Sequence, residues 1–417
     1  MRKPAVSPLP VLLTAFWLAL VLLLAWNRQF YLEAMLSAFF ASTLGGAAIL
    51  HLAVAPKRDA LLVAACATLL GTAEFVFLHF PHGVSIVVPA ISLIGLGSLL
   101  VFGIRTAWSA GEHLQLYLRA FVPAVLFVLS EYAASTLLGI SSYLHPKTLD
   151  LYLYSFDASL GMQFSFVAGR WLRQLSWLHV TALLCYMGLM LPVALVSATL
   201  VRKRSPRALP AILAFLLTGP LGILFYNILP ACGPIYVFGA AFPFLPPTQA
   251  QAAHLLVAPM AIAGPRNAIP SLHMAWVLLA WWNSKGLPAW IRIITLVFLV
   301  FTVVSTLGTG EHYFVDLVAA VPFAVAVQAI SDYRVPLRDP CRSRPLLGGF
   351  LMALAWMAAI SFTPTPIWWA SPAIGWSLVA TTLLASFYLE RLRSAGSGQD
   401  EPRGGVARNA ALAAASS

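Results

Sequence analysis

The sequence predicts an all-α, polytopic membrane protein of about twelve transmembrane helices. Three observations carry that reading. The 417 residues are 60% hydrophobic and only 9% charged, where a soluble domain has roughly 25%. Mean hydropathy is +0.85. Apolar runs of about 18–24 residues recur along the chain, which is the length that crosses a bilayer. The net charge of +11 is spread over short loops, so it reads as a set of orientation signals and not as a nucleic-acid surface. Cys66, Cys185, Cys232 and Cys341 lack metal-ligand spacing, and neither a disulfide framework nor a zinc site is expected.

In chain order, the first run covers 9–26. It has no convincing small-residue cleavage site and is long enough to be a spanning helix, not a leader. Runs at 34–55, 60–80 and 84–104 complete an N-terminal four-helix region, 1–116. A six-helix core is expected over 117–333, from runs at 117–140, 178–201, 208–229, 270–284, 287–308 and 312–331. The run at 270–284 is short for a span. Two further helices, 346–363 and 370–389, fall in 334–393. The segment 394–417 is rich in Gly, Ala, Ser and charge and is expected to be a disordered cytoplasmic tail.

Loop charge orients these spans. With twelve crossings, twenty of the 25 Lys and Arg residues share the side of the N-terminus; Arg28, Lys147, Arg170, Arg173 and Arg266 lie on the other. Positive loops stay inside, so both termini are expected in the cytoplasm. Tyr226, Arg266, Ser271, His273, Ser305, His312 and Asp316 then all lie near the non-cytoplasmic face. Two long connections share that side. The first, 141–177, has the aromatics and spaced charges of a helix lying in the interface. The second, 230–269, is rich in Pro and aromatic residues, and either could roof a site.

The chemistry concentrates between Gly264 and Asp316. His312 and Asp316 are four residues apart and share a helix face, where a carboxylate can fix an imidazole tautomer. His273 follows Pro270-Ser271, residue types of a first helical turn, and helix N-termini bind phosphate. This pattern points to phosphoryl transfer. His312 would attack phosphorus, Asp316 would steady the ring, and His273 would protonate the leaving oxygen. Ser271 would hold phosphoryl oxygens and Arg266 would add positive charge. Each residue alone has a structural alternative: Ser271 as a cap, and His312–Asp316 as a helix-surface pair. Tyr226 and Asn227 read as residues that shape the site, and Glu311 as a solvated loop residue. Glu74 and Glu131 lie within apolar spans and are functional suspects there, which keeps a lipid transporter as a non-enzymatic alternative.

Pro270-Ser271-Leu272-His273, followed by Ser305, His312 and Asp316 at S-x6-H-x3-D spacing, resembles the last two motifs of the type-2 phosphatidic acid phosphatase superfamily. The run His312–Asp316 (HYFVD), the upstream YNILPACGPIY from Tyr226 to Tyr236, and FDASLG with Asp157 are most similar to the inositol phosphorylceramide synthase-like branch. The resemblance covers roughly 117–333. It implies a phosphatidic-acid-phosphatase-like core, His312 as nucleophile, His273 as acid, Asp316 as orienter, and Tyr226, Tyr236 and Ser305 near the substrate. It implies no cofactor and no metal. Two departures stand out. Thr306 occupies the place of the third-motif arginine, and no K-x6-R-P first motif precedes it. Phosphate binding would then lean on Arg266, with Arg170 or Arg173. The expected substrate is a membrane lipid phosphoester, with transfer to an alcohol or, alternatively, simple hydrolysis of a lipid or polyprenyl phosphate. A bacterial inner membrane is the expected location, with the site facing the periplasm.

Overall fold

The computed structural model describes residues 36–78 and 86–396. The run at 9–26, His79 and the tail beyond 396 lie outside the described residues. The chain is all-α, and eight of the described helices are long and apolar enough to cross a membrane, or nine if one bent pair counts as a span. The helices divide into two compact units.

Unit one takes the described residues up to Tyr132 together with Met190–Leu209. It contains α1 (Ala38–Val54), α2 (Asp59–Leu78), α3 (Val87–Ala107), most of α4 (Gly111–Leu144) and, later in the chain, α8 (Met190–Arg202). Helix α3 packs on α1 and α2, and α8 on α1. Small residues permit this: a Cβ on Gly95 would stand 2.5 Å from the Leu44 main chain. Asp59, buried in the first turn of α2, receives Arg105 Nε at 3.1 Å and Nη2 at 2.7 Å from the last turn of α3. Each charge sits at the helix end whose dipole favours it. Glu74 is buried in this unit, and Glu131 lies on α4.

Unit two takes Ala133–Leu189 and the described residues from Pro210. It contains α5 (Asp150–Ser159), α6 (Phe164–Gln174), α7 (Ser176–Met187) and most of α9 (Ala208–Ile228). Short helices α10 (Pro234–Phe238) and α11 (Gln249–Ala253) follow, then α12 (Leu272–Asn283), α13 (Ala289–Gly308) and α14 (Phe314–Ser331). The last three are α15 (Pro340–Phe362), α16 (Thr365–Ala370) and α17 (Pro372–Gly396). Helix α14 is the core: nearly every side chain in it is buried, and α12, α15, α17 and α5 pack around it. The side-chain amides of Asn283 and Gln328 meet each other, exchanging hydrogen bonds of 2.8 and 3.2 Å. Arg342 donates to the carbonyls of Ala329 and Ile330, satisfying the C-terminal end of α14.

Four features bear on the expected spans and boundaries. The run at 178–201 is not one continuous helix; α7 ends at Met187 and α8 starts at Met190. Gly188 leaves the helical conformation, and Pro192 lacks an N–H and suits only the first turn of a new helix. The run at 270–284 forms a 12-residue helix, about 18 Å long at 1.5 Å per residue, which is short of a bilayer. The helices from 340 onward pack directly on the core, α15 and α17 lying against α14. Trp376 and Trp369 hydrogen-bond Leu160 O and Ser155 Oγ at 3.2 Å, so the C-terminal helices also buttress α5. Finally, the compact units cut across the boundaries drawn at 116 and 333, because α8 joins the N-terminal helices.

The two long connections meet. Strands β1 (Lys147–Thr148) and β2 (Met260–Ala261) pair antiparallel, Lys147 opposite Ala261. Gln163 Nε2 donates to Pro247 O at 2.6 Å. Helix α6 buries Ser165, Phe166, Ala168, Gly169 and Leu172 while exposing Trp171 and Arg173, the two-faced pattern expected of an interfacial helix. Gly233 takes a positive φ of +126°, and a Cβ there would stand 2.5 Å from Glu311 O. We expect Gly233→Ala to cost about 1–3 kcal/mol, measured as a lower midpoint of thermal unfolding in detergent; an unchanged midpoint would refute the close approach.

Candidate active site

His312 sits in the five-residue turn between α13 and α14, and its backbone is held from both sides. His312 N donates to Thr306 O at 3.2 Å, and Ser165 Oγ donates to His312 O at 2.8 Å. Gly310, at φ +79°, lets the turn close against Phe242 and Ile235. Just downstream, Asp157 of α5 accepts the first N–H groups of α14, from Phe314 and from Val315 (3.1 Å). Tyr313 N donates to Asp316 Oδ2 at 2.7 Å, and Tyr313 OH to Asp150 Oδ1 at 3.1 Å. Asp150 also accepts from Cys232 N and Gly233 N, so one buried carboxylate binds the 230-region loop to the histidine turn.

The ring contacts fix the chemistry. His312 Nδ1 lies 2.9 Å from Ala268 O. A carbonyl only accepts, so Nδ1 carries the proton and Nε2 keeps its lone pair. Ser271 Oγ lies 3.2 Å from Nε2 and donates to it. Ser271 caps α12, its oxygen accepting from Met274 N at 3.4 Å, and its own N–H reaches Asp316 O at 3.1 Å. The Asp316 carboxylate stands 3.4 Å from His312 Nδ1, farther than the Ala268 carbonyl, and is shared with the α14 cap. The main chain is therefore the nearer tautomer-fixing group, where the spacing alone suggested the carboxylate.

His273, in the first turn of α12, has its ring centroid 6.2 Å from that of His312, at 67°. Tyr186 of α7 stacks on it at 4.1 Å and 16°. Tyr226, on α9, is buried, and its hydroxyl meets the N–H of Leu272 at the start of α12. Tyr236 donates its hydroxyl to Glu311 at 3.2–3.3 Å. Glu311 is thus not a solvated loop residue: it is half-buried beside the nucleophile candidate and hydrogen-bonded.

Two expected residues stand elsewhere. Ser305 is buried on α13 and donates within its own helix, to Thr302 O at 3.1 Å. Arg266 is buried and spends its guanidinium on His145 O at 2.7–2.9 Å, on Gly264 O and on Cys232 Sγ at 3.3 Å. It ties the two long connections together. On α6, Arg170 is half-buried and Arg173 exposed. Burial lowers the His312 pKa to about 4, against the opposing pull of the Glu311 charge and the Ala268 carbonyl. Burial moves the Glu311 carboxyl up.

Sequence reasoning missed Tyr186, Ser165 and the Ala268 carbonyl, and noted Asp157 only through resemblance. Asp150 and Asp157 did carry a signal. Seven residues apart, two turns of one helix, they share a face, and that face meets the histidine turn.

These features define an all-α membrane protein with two imidazoles facing each other at the starts of two apolar helices. Residues 151–330, which hold His273, His312, Ser271 and Asp316, match the family model described as the PAP2 superfamily. Members of that superfamily are phosphatases and phosphotransferases, which supports phosphoryl transfer in general terms. No curated protein and no solved structure gives a significant match.

Proposed function

We propose that the protein is a lipid phosphotransferase that works through a phosphohistidine at His312, at the non-cytoplasmic leaflet of a bacterial inner membrane. The observation that carries this reading is the His312 ring. Its Nδ1–H is committed to Ala268 O, and its Nε2 lone pair points to the Ser271 hydroxyl. In the first step the lone pair forms an N–P bond while the P–O bond to the leaving alcohol breaks. That oxygen takes a proton from His273, whose charged form must be held against the burial that disfavours it. Once Nε2 is bonded to phosphorus, the Ser271 hydroxyl has lost its acceptor there and donates to a phosphoryl oxygen. In the second step an incoming hydroxyl gives its proton to His273, a new O–P bond forms, and the N–P bond breaks. An alcohol as acceptor is supported by the resemblance to the synthase-like branch; water in its place gives the phosphatase. The positive-inside asymmetry of the loops supports the leaflet assignment.

The test is to incubate the purified protein, with chelator, with phospholipid labelled at phosphorus, and with or without a polyol. An acid-labile, base-stable label on the protein and a headgroup-exchanged lipid are expected. Phosphate release that no alcohol diverts would leave hydrolysis. No label and no release from any phospholipid would favour the transporter.

The low His312 pKa has a measurable sign. Only the neutral ring attacks, so lowering the pKa extends the active range towards acid. Phosphoenzyme formation from a substrate with an activated leaving group, which needs no protonation, should stay flat from pH 8 to about pH 5. It should fall as the ring charges near pH 4. A fall centred at pH 6.5 in single-turnover measurements would contradict the burial argument.

A further inference from the structure

We infer that Tyr186 is the positioning residue for the proton donor: its ring sets the plane of His273. The inference rests on the proposed acid role of His273. The His273 ring is held on two sides. Tyr186 covers one face at 4.1 Å and 16°, while Trp276 meets it edge-on at 6.3 Å and 84°. Neither neighbour is loose. Tyr186 is 6% exposed, at the end of α7, which packs on α13. Trp276 donates its indole N–H to Phe215 O at 2.9 Å.

An imidazole rotates about a soft terminal torsion, which is broad and roughly two-fold, so the backbone of α12 does not fix the ring plane. A face-on aromatic does, because rotating the imidazole out of the stack drives its edge into the phenol ring. The plane matters, since proton transfer needs the N–H aimed at the leaving oxygen. A misplacement of about 1 Å can cost about 100-fold. In this arrangement Tyr186 touches neither phosphorus nor the leaving group. It acts through His273, and it does so through its ring and not its hydroxyl.

Leaving-group chemistry separates this role from a structural one. An alkyl phosphoester needs the acid, because an alkoxide is a poor leaving group. A nitrophenyl phosphoester does not. The experiment compares both substrates in the full-length protein and in its Tyr186→Leu, Tyr186→Phe and His273→Ala variants. Tyr186→Leu should lower kcat on the alkyl ester by about 30- to 100-fold with KM little changed, while the nitrophenyl rate stays within about 3-fold. Tyr186→Phe keeps the ring and should retain most of both rates. The retained nitrophenyl rate also shows that the variant is folded.

Equal losses on both esters in Tyr186→Leu, or no loss on either, would overturn the assignment, as would a selective loss in Tyr186→Phe. His273→Ala separates the levels. A selective alkyl loss there, with an equal loss in Tyr186→Leu, removes Tyr186 alone. Equal losses in His273→Ala itself remove the acid role and this inference with it.

Discussion

Replacing His312 by alanine should reduce phosphoryl transfer by about 10⁴-fold or more and remove the labelled phosphoenzyme altogether. Losses of this size are what deletion of a nucleophile produces when the remaining groups act only through it. The geometry gives specific reasons. Nε2 is the nitrogen left with a lone pair, the Ser271 hydroxyl is aimed at it, and the second imidazole stands 6.2 Å away. The substitution should leave the turn in place, since His312 N and O are held by Thr306 O and Ser165 Oγ, independently of the side chain. Asp316→Asn makes a useful comparison. The asparagine oxygen can still accept from Tyr313 N, and Ala268 O still holds the Nδ1 proton. Its loss should therefore be far smaller, about 10- to 100-fold. Phosphoenzyme trapping and turnover on the same lipid measure both. Equal turnover in wild type and His312→Ala would eliminate the nucleophile and most of the proposed mechanism.

Much of this site was legible because it is written in side chains at fixed spacing. The spacing points to His312 beside Asp316, and the two do stand 3.4 Å apart, although His312 lies in the turn before α14 and not on a helix face. Hairpin geometry points to His273, 39 residues earlier, near His312, and the two ring centroids lie 6.2 Å apart, edge to face. The helical, membrane-embedded class followed from composition. The parts that were not legible depend on main chain or on distant packing. No residue type announces that the carbonyl of Ala268 will take the Nδ1 proton. Arg266 looked like a phosphate ligand because a cation was wanted near the motif. Its guanidinium is instead taken by the His145 carbonyl of the other long connection and by the Gly264 carbonyl and Cys232 thiol of its own. Glu311 looked solvated because its neighbours are turn residues, and the hydroxyl that pairs with it comes from Tyr236, 75 positions away. The break after Met187 is hidden because hydrophobicity continues through it, although Gly188 and Pro192 mark it.

The second large effect is expected at a residue that touches no substrate. Asp157→Ala should destabilise unit two by about 3 kcal/mol and lower turnover by about 100-fold. The Asp157 carboxylate, 4% exposed, accepts the N–H groups of Phe314 and Val315 at the start of α14. Helix starts leave such donors without intrahelical partners, and a negative group there also meets the positive end of the dipole. Alanine would strand two buried donors, each worth about 1–3 kcal/mol when unmet. Water or a shift of α14 would have to replace the carboxylate. A shift moves the turn one residue upstream, and His312 with it, by enough to spoil its aim at phosphorus. Asp157→Asn should fall between, since the amide oxygen can accept one N–H while its NH₂ faces the other. Thermal unfolding and turnover should therefore rank wild type, Asn, Ala in the same order. A variant that loses stability but keeps full turnover would show that the α14 start does not set the position of His312. One that keeps both would mean that the Asp157 cap contributes little to either.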